Sequence, residues 1–140
     1  MKRGKLNIAV GLLFMAGFMI YGFALIYLRD FAPDKAAWIA GANDGIHFEA
    51  KLAHVHGNLF ALLNILFGFL LMYLAIPDKK AKIISWALLA GMLMPLGIMS
   101  EFLIGVPPYL VVVGAISMIV GTLYFGIVVL GMKGTKTKNL

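Results

Sequence analysis

The chain has 140 residues, of which 62% are apolar and 13% are charged, with a formal charge of +6 and no cysteine. Its mean hydropathy of +0.96 excludes an ordinary soluble domain, in which about 45–50% of residues are apolar. The lack of cysteine excludes disulfides, cysteine-ligated zinc, iron–sulfur clusters and thiolate nucleophiles. We therefore expect an all-α integral membrane protein, a four-helix antiparallel bundle that forms a single membrane domain over residues 1–140.

Four apolar segments are long enough to cross about 30 Å of hydrocarbon. They cover approximately residues 6–28, 51–76, 81–104 and 109–132. The turns at residues 77–80 and 105–108 are short, which predicts that the last three helices are antiparallel neighbours. The longer connection between the first two segments predicts a loop at the membrane interface, with Trp38 as an anchor.

The basic residues are distributed unevenly between the two ends of this predicted bundle. Arg29, Lys35 and Lys51 fall at one end. The other end carries the larger set, Lys2, Arg3, Lys5, Lys79, Lys80, Lys82, Lys133, Lys136 and Lys138. By the positive-inside rule both termini are cytoplasmic, in the inner membrane of a bacterium or archaeon. The positive charge is thus a topology signal, and we expect no nucleic-acid partner.

All three histidines lie in the stretch 47–64, at the outer end of the second predicted helix. At 100° per residue, His54, Gly57, Asn58 and Ala61 share one helix face, whereas His56 points nearly the opposite way. His54 and His56 are therefore not expected to bind one ion. Polar groups within a membrane are costly and usually functional, so we expect any chemistry of this protein in this stretch.

The face that carries His54 suits a flat cofactor. Gly57 and Ala61 form a small-xxx-small pair, which allows a helix or a flat ligand to approach the backbone closely. An imidazole is a common axial ligand of haem iron, so this face suits a porphyrin with His54 as the iron ligand. Arg29 either pairs with the haem propionates or is an ordinary flanking charge. Glu101, at the same membrane level, is either a general acid or base or a solvated carboxylate.

Other interpretations of these polar residues stay open. His47, Glu49 and His54 are a candidate zinc or non-haem iron site, provided that the helix starts before Gly45. The small-residue face at Gly57 is also compatible with helix packing alone. Asn64 lies deeper than His54 and favours a hydrogen bond between helices.

The segment 52–76, with Ala53-His54 and Gly57, continues into Pro77-Asp78-Lys79-Lys80-Ala81 and a third helix with a glycine-rich centre. This pattern resembles styrene oxide isomerase, a family of small four-helix membrane proteins with an Ala-His element and an Asp-Lys turn. The resemblance implies a homotrimer that binds haem b near its subunit interfaces, with His54 as the axial ligand.

The same resemblance implies a reaction. In that family ferric haem acts as a Lewis acid that opens an aryl epoxide, and a hydride shift gives an aldehyde. In the same ungapped register, Phe60 and Met99 stand where the family has a polar asparagine and a tyrosine. Asn58, Asn64 and Glu101 are the candidate substitutes for these two residues, and of these Asn58 and Glu101 are the candidate catalytic residues.

A second resemblance is confined to residues 53–59. Ala-His-Val-His-Gly-Asn-Leu is similar to an element of haem–copper oxidases and related membrane proteins that handle nitric oxide. It implies redox chemistry, gas binding or haem delivery without isomerase activity. A haem-free assembly protein, or one that binds small lipophilic molecules, is the third class that the sequence allows.

Overall fold

The computed structural model describes residues 2–132, and four of its helices are long and apolar enough to cross a membrane. The four-helix prediction is therefore confirmed. The helices are α1 (Lys2–Asp30), α2 (Lys35–Ala40), α3 (Gly45–Tyr73), α4 (Asp78–Gly91), α5 (Leu93–Ile104) and α6 (Tyr109–Leu130). Helices α4 and α5 together make the third span, and α2 is too short to cross the bilayer.

Neighbouring spans run antiparallel. Along α1, Gly4 packs on Gly68, Gly11 on Ala61 and Gly22 on His54, so the residue numbers fall on α3 as they rise on α1. Similarly, Gly97 packs on Val111 and Gly91 on Met118, which sets α6 antiparallel to the third span. Both ends of the described chain consequently lie at the same end of the bundle.

The distribution of polar and apolar side chains is that of a membrane protein. Many large apolar side chains face outward, among them Leu13, Phe23 and Ile127, which expose 73%, 71% and 65% of their surface. The buried polar residues are Asn7, Asn64 and Ser85, which lie in the interior where they contact one another. A surface made of aliphatic side chains is stable in lipid and unstable in water.

Several helix boundaries differ from the sequence prediction. Helix α3 begins at Gly45, not near residue 51, and ends at Tyr73, before the predicted residue 76. The third span is interrupted at Met92, because Pro95 has no N–H to donate to the carbonyl of Gly91. The interfacial connection also contains α2, where only a loop is predicted.

The turn after α5 is made by Gly105, which has a left-handed backbone with φ of +66°. Its N–H donates to the carbonyl of Glu101, and the next N–H, from Val106, donates to Ser100. A glycine in this conformation ends a helix at little steric cost. The turn directs α6 back along α5.

The positions of the basic residues agree with the predicted charge asymmetry. Lys5 and the lysines at the start of α4 lie at one end of the bundle, and Arg29 and Lys51 lie at the other. Lys133, Lys136 and Lys138, on which the expectation of cytoplasmic termini also depends, lie outside the described residues.

Candidate functional site

The predicted site lies where α3 packs on α1. His54 is in the third turn of α3, nine residues after Gly45, which corresponds to about 14 Å along the helix. Its ring covers Gly22 of α1: a Cβ atom at Gly22 would stand 2.7 Å from Cε1 of His54. A larger residue at this position would therefore displace the imidazole from its place against α1.

His54 is the polar residue of a groove that is otherwise apolar. The groove has a volume of about 400 Å³ and is lined by Met19, Gly22, Phe23, Leu25, Ile26 and His54. It is a surface groove that faces away from the buried core of the bundle. In residues 2–132, no protein group forms a hydrogen bond with Nε2 of His54. This nitrogen is free to bind a ligand.

Asn58, one turn further along α3, holds the other side of the imidazole. Its Nδ2 donates to the backbone carbonyl of His54 at 2.9 Å and lies 3.4 Å from Nδ1 of the same residue. The predicted pairing of His54 and Asn58 on one helix face is thus observed. In this amide orientation Nδ1 faces a donor, so the proton of the neutral ring belongs on Nε2.

Gly57 and Ala61 do not line the His54 groove, because α1 packs on them within the same chain. A Cβ atom at Gly57 would stand 2.5 Å from the ring of Phe18, and one at Gly11 would stand 2.8 Å from the carbonyl oxygen of Ala61. These contacts with α1 support the interpretation that Gly57 and Ala61 serve helix packing. The groove beside His54 is lined instead by residues of α1, which include Gly22.

Tyr21 is a site neighbour that the sequence reasoning missed. Its ring centroid is 6.1 Å from that of His54, and its hydroxyl donates to the carbonyl of Ala50 at 3.3 Å. It also lines a second groove, of about 340 Å³, between α1 and α5, which includes Met99. The third span, made of α4 and α5, lacks a tyrosine, but α1 places Tyr21 beside the histidine.

The remaining predicted residues lie outside the His54 groove. Arg29, seven residues or about 10 Å beyond Gly22 along α1, forms an exposed ion pair with Asp30 at 2.7 Å. Glu101 lies in the last turn of α5 and does not line the groove. The structure therefore brings together His54 and Asn58 but not Arg29 or Glu101.

The other two histidines have separate surroundings. His47 stacks on Trp38 with a centroid distance of 4.3 Å, and its Nδ1 is 2.5 Å from the Trp38 carbonyl oxygen. His56 points to the side of α3 opposite His54, as the helical phase predicts.

Asn64 makes the hydrogen bonds between helices that the sequence favours, to Asn7 on α1 and to the Leu88 carbonyl on α4. The carboxylate–histidine metal site of His47, Glu49 and His54 is not formed. Although α3 does start at Gly45, the described part of the chain has no group of three or more histidines and carboxylates that could hold a metal ion.

Comparisons of this chain with protein families, with characterised proteins and with solved structures found no match.

Proposed function

We propose that this chain is a membrane haem b protein in which Nε2 of His54 is the axial ligand, and that it isomerises lipophilic aryl epoxides to aldehydes. The observation that carries the proposal is the His54 imidazole, whose Nε2 has no hydrogen-bond partner in residues 2–132 and which lines an otherwise apolar groove. A polar atom in a lipid-facing groove is costly unless it has a partner, and iron is such a partner.

The apolar lining of the groove suits one face of a macrocycle. Its walls are Met19, Phe23, Leu25 and Ile26, and these apolar side chains suit the periphery of a porphyrin. Arg29 is exposed and lies about 10 Å from Gly22, toward the C-terminal end of α1. It would bind the haem propionates if it gave up its ion pair with Asp30. The groove is open on one side, and a second copy of the chain in a homotrimer would cover it.

Asn58 sets the protonation of the ligand. An imidazole that binds iron through Nε2 carries its proton on Nδ1, where it needs an acceptor. Asn58 Oδ1 can accept that proton only if the Asn58 side chain turns and gives up the bond that its Nδ2 donates to the His54 carbonyl at 2.9 Å. We therefore assign Asn58 as a positioning residue that holds the ring and its proton, instead of a catalytic acid or base.

The apolar groove favours a lipophilic substrate. When bound, ferric haem would supply a Lewis acid for opening the benzylic C–O bond. The subsequent hydride shift takes place within the substrate, so the aldehyde has the same atoms as the epoxide and no reductant is consumed. Glu101 is not in the groove, and we do not assign it a part in this reaction.

A redox or gas-binding haem protein is the second candidate. The residues that line the groove include no carboxylate and no hydroxyl group that could orient an epoxide. Such a groove is compatible with a haem that only exchanges electrons or binds a small apolar gas.

The first experiment is an absorption spectrum of the full chain, purified in detergent and reconstituted with haem b. We expect a Soret band that is lost in His54→Ala and kept in His47→Ala, which changes a histidine outside the groove. A wild-type protein without a Soret band, or a band unchanged in His54→Ala, would contradict haem binding at this site.

The second experiment separates the two candidates. The ferric protein is given styrene oxide, and phenylacetaldehyde is measured. Turnover that disappears in His54→Ala supports the isomerase. No turnover by the ferric form, together with carbon monoxide or nitric oxide binding by the ferrous form, supports the second candidate.

A further inference from the structure

His56 is held in a tautomer that suits metal binding. Its Nδ1 lies 2.9 Å from the backbone carbonyl of Leu52, one turn earlier on α3. A carbonyl only accepts, so Nδ1 carries the ring proton and Nε2 is left with its lone pair. Histidines that bind metals usually donate their other ring N–H to a carbonyl or carboxylate in this way.

The surroundings of His56 contain two sulfur donors. His56 lines a groove of about 480 Å³ between α3, α5 and α6, together with Met94 and Met118. Gly114 of α6 packs on the backbone of Met94, and Met118, one turn further along α6, packs with its Cε atom against Gly91 of α4. Phe60 contacts the imidazole edge-on, with a centroid distance of 6.1 Å.

The rest of this groove is apolar except for Thr122. No protein group in the described residues forms a hydrogen bond with Nε2 of His56. A lone pair that faces hydrocarbon is costly without a partner. Two thioethers beside it favour a soft cation over a hard one, because thioether sulfur selects Cu(I), whereas Mg²⁺, Ca²⁺ and Mn²⁺ require oxygen ligands.

From these contacts we propose that His56, Met94 and Met118 form a site for a soft monovalent metal ion, Cu(I), for which Ag(I) is a substitute. This site is on the opposite side of α3 from His54 and is independent of the haem proposed there. The metal is bound without a change in its oxidation state, and His56 Nε2 gives up no proton on binding.

The experiment measures Cu(I) transfer from a bicinchoninate complex to the full chain in detergent, without haem and under anaerobic reducing conditions. We expect His56→Ala to lower the affinity by more than about 100-fold, since even outer-shell partners of a metal are worth about 10–100-fold. Met118→Leu should weaken binding as well. Met99→Leu is the matched control, because Met99 lines the α1–α5 groove, which has no histidine.

His54→Ala should leave Cu(I) binding unchanged, so that a failure of the haem proposal and a failure of this one are distinguishable. X-ray absorption of the wild-type complex with Cu(I) should show both sulfur and nitrogen neighbours. This measurement does not depend on the folding of any variant. The proposal would be overturned if the wild type and His56→Ala bound Cu(I) with equal affinity, or if the absorption spectrum showed no sulfur neighbour. It would also be overturned if the protein had no affinity for Cu(I) and the groove held a hydroxylated lipophile instead.

Discussion

The polar contact between Asn7, Asn64 and Ser85 gives the sharpest test of how the bundle is stabilised. All three residues are fully buried. Asn7 donates to Asn64 Oδ1 at 2.9 Å and to the Ser85 carbonyl at 3.2 Å, and it accepts from Ser85 Oγ at 2.5 Å. Asn64 donates in addition to the carbonyls of Phe60 and Leu88. Helices α1, α3 and α4 are thus joined by side chains whose amide protons are all used.

The perturbation is a double-mutant cycle with Asn7→Leu and Asn64→Leu. Each single variant removes three of these hydrogen bonds, and the double variant removes five, because one bond is shared. Hydrogen bonds between membrane helices contribute about 0.6 kcal/mol on average. Asn7→Leu should therefore lower the free energy of unfolding by about 2 kcal/mol, and Asn64→Leu by about 1 kcal/mol because its bond to Phe60 lies within α3, with a coupling energy of about 0.6 kcal/mol between them.

The assay is reversible unfolding of the detergent-solubilised protein in mixed micelles with increasing dodecyl sulfate. Ser100→Ala is the control, because the Ser100 hydroxyl only donates within its own helix, to the carbonyl of Gly97. Single variants as stable as the wild type, or a coupling energy indistinguishable from zero, would show that the buried asparagines do not fasten the helices together.

The remaining predictions concern the α1–α3 contact. Gly22→Val should abolish haem binding, because its Cβ would meet the His54 ring at 2.7 Å, and the Soret absorbance measures this. Gly57→Val should lower the free energy of unfolding by about 1–3 kcal/mol through overpacking, whereas Gly17→Val, at a position with open space, should leave it unchanged. Equal effects at Gly57 and Gly17 would contradict the packing. Asn58→Leu should weaken haem binding by about 10–100-fold in a titration and Asn58→Asp should restore it, so equal loss in both would refute the positioning role.

Much of the fold follows from apolar length alone. Spans of about twenty apolar residues specify membrane helices, and the short turns at 77–80 and 105–108 specify antiparallel order. The start of α3 at Gly45 was not predictable from hydropathy, because its first turns contain polar residues that lie beyond the apolar segment. Pro95 indicated where the third span would be interrupted. A proline predicts the position of a kink, but not whether the helix bends or breaks there.

The site was partly predictable. Helical phase placed His54 and Asn58 on one face and His56 on the other, since phase depends only on spacing. It could not tell whether a ligand or a neighbouring helix covers Gly57, because that depends on which residue of α1 lies opposite. Gly22 is visible in the sequence as one of several glycines on α1. That it packs on His54 follows only from the register of α1 and α3.

The interruption of the third span at Met92 divides the bundle into two parts with different mechanics. The hydrogen bonds of Asn7, Asn64 and Ser85 between spans lie on the α4 side of this point. On the other side, the Tyr21 hydroxyl of α1 donates to the Ala50 carbonyl of α3 at 3.3 Å. Within the described residues α5 makes no side-chain hydrogen bond to another span, so small sliding motions of α5 would break no directional bond. The backbone ladder is interrupted at Met92, so a tilt of α5 would leave the hydrogen bonds of α4 intact. Such a tilt would reshape the groove that contains His56, which Met94 of α5 lines, and would leave the His54 groove between α1 and α3 unaltered.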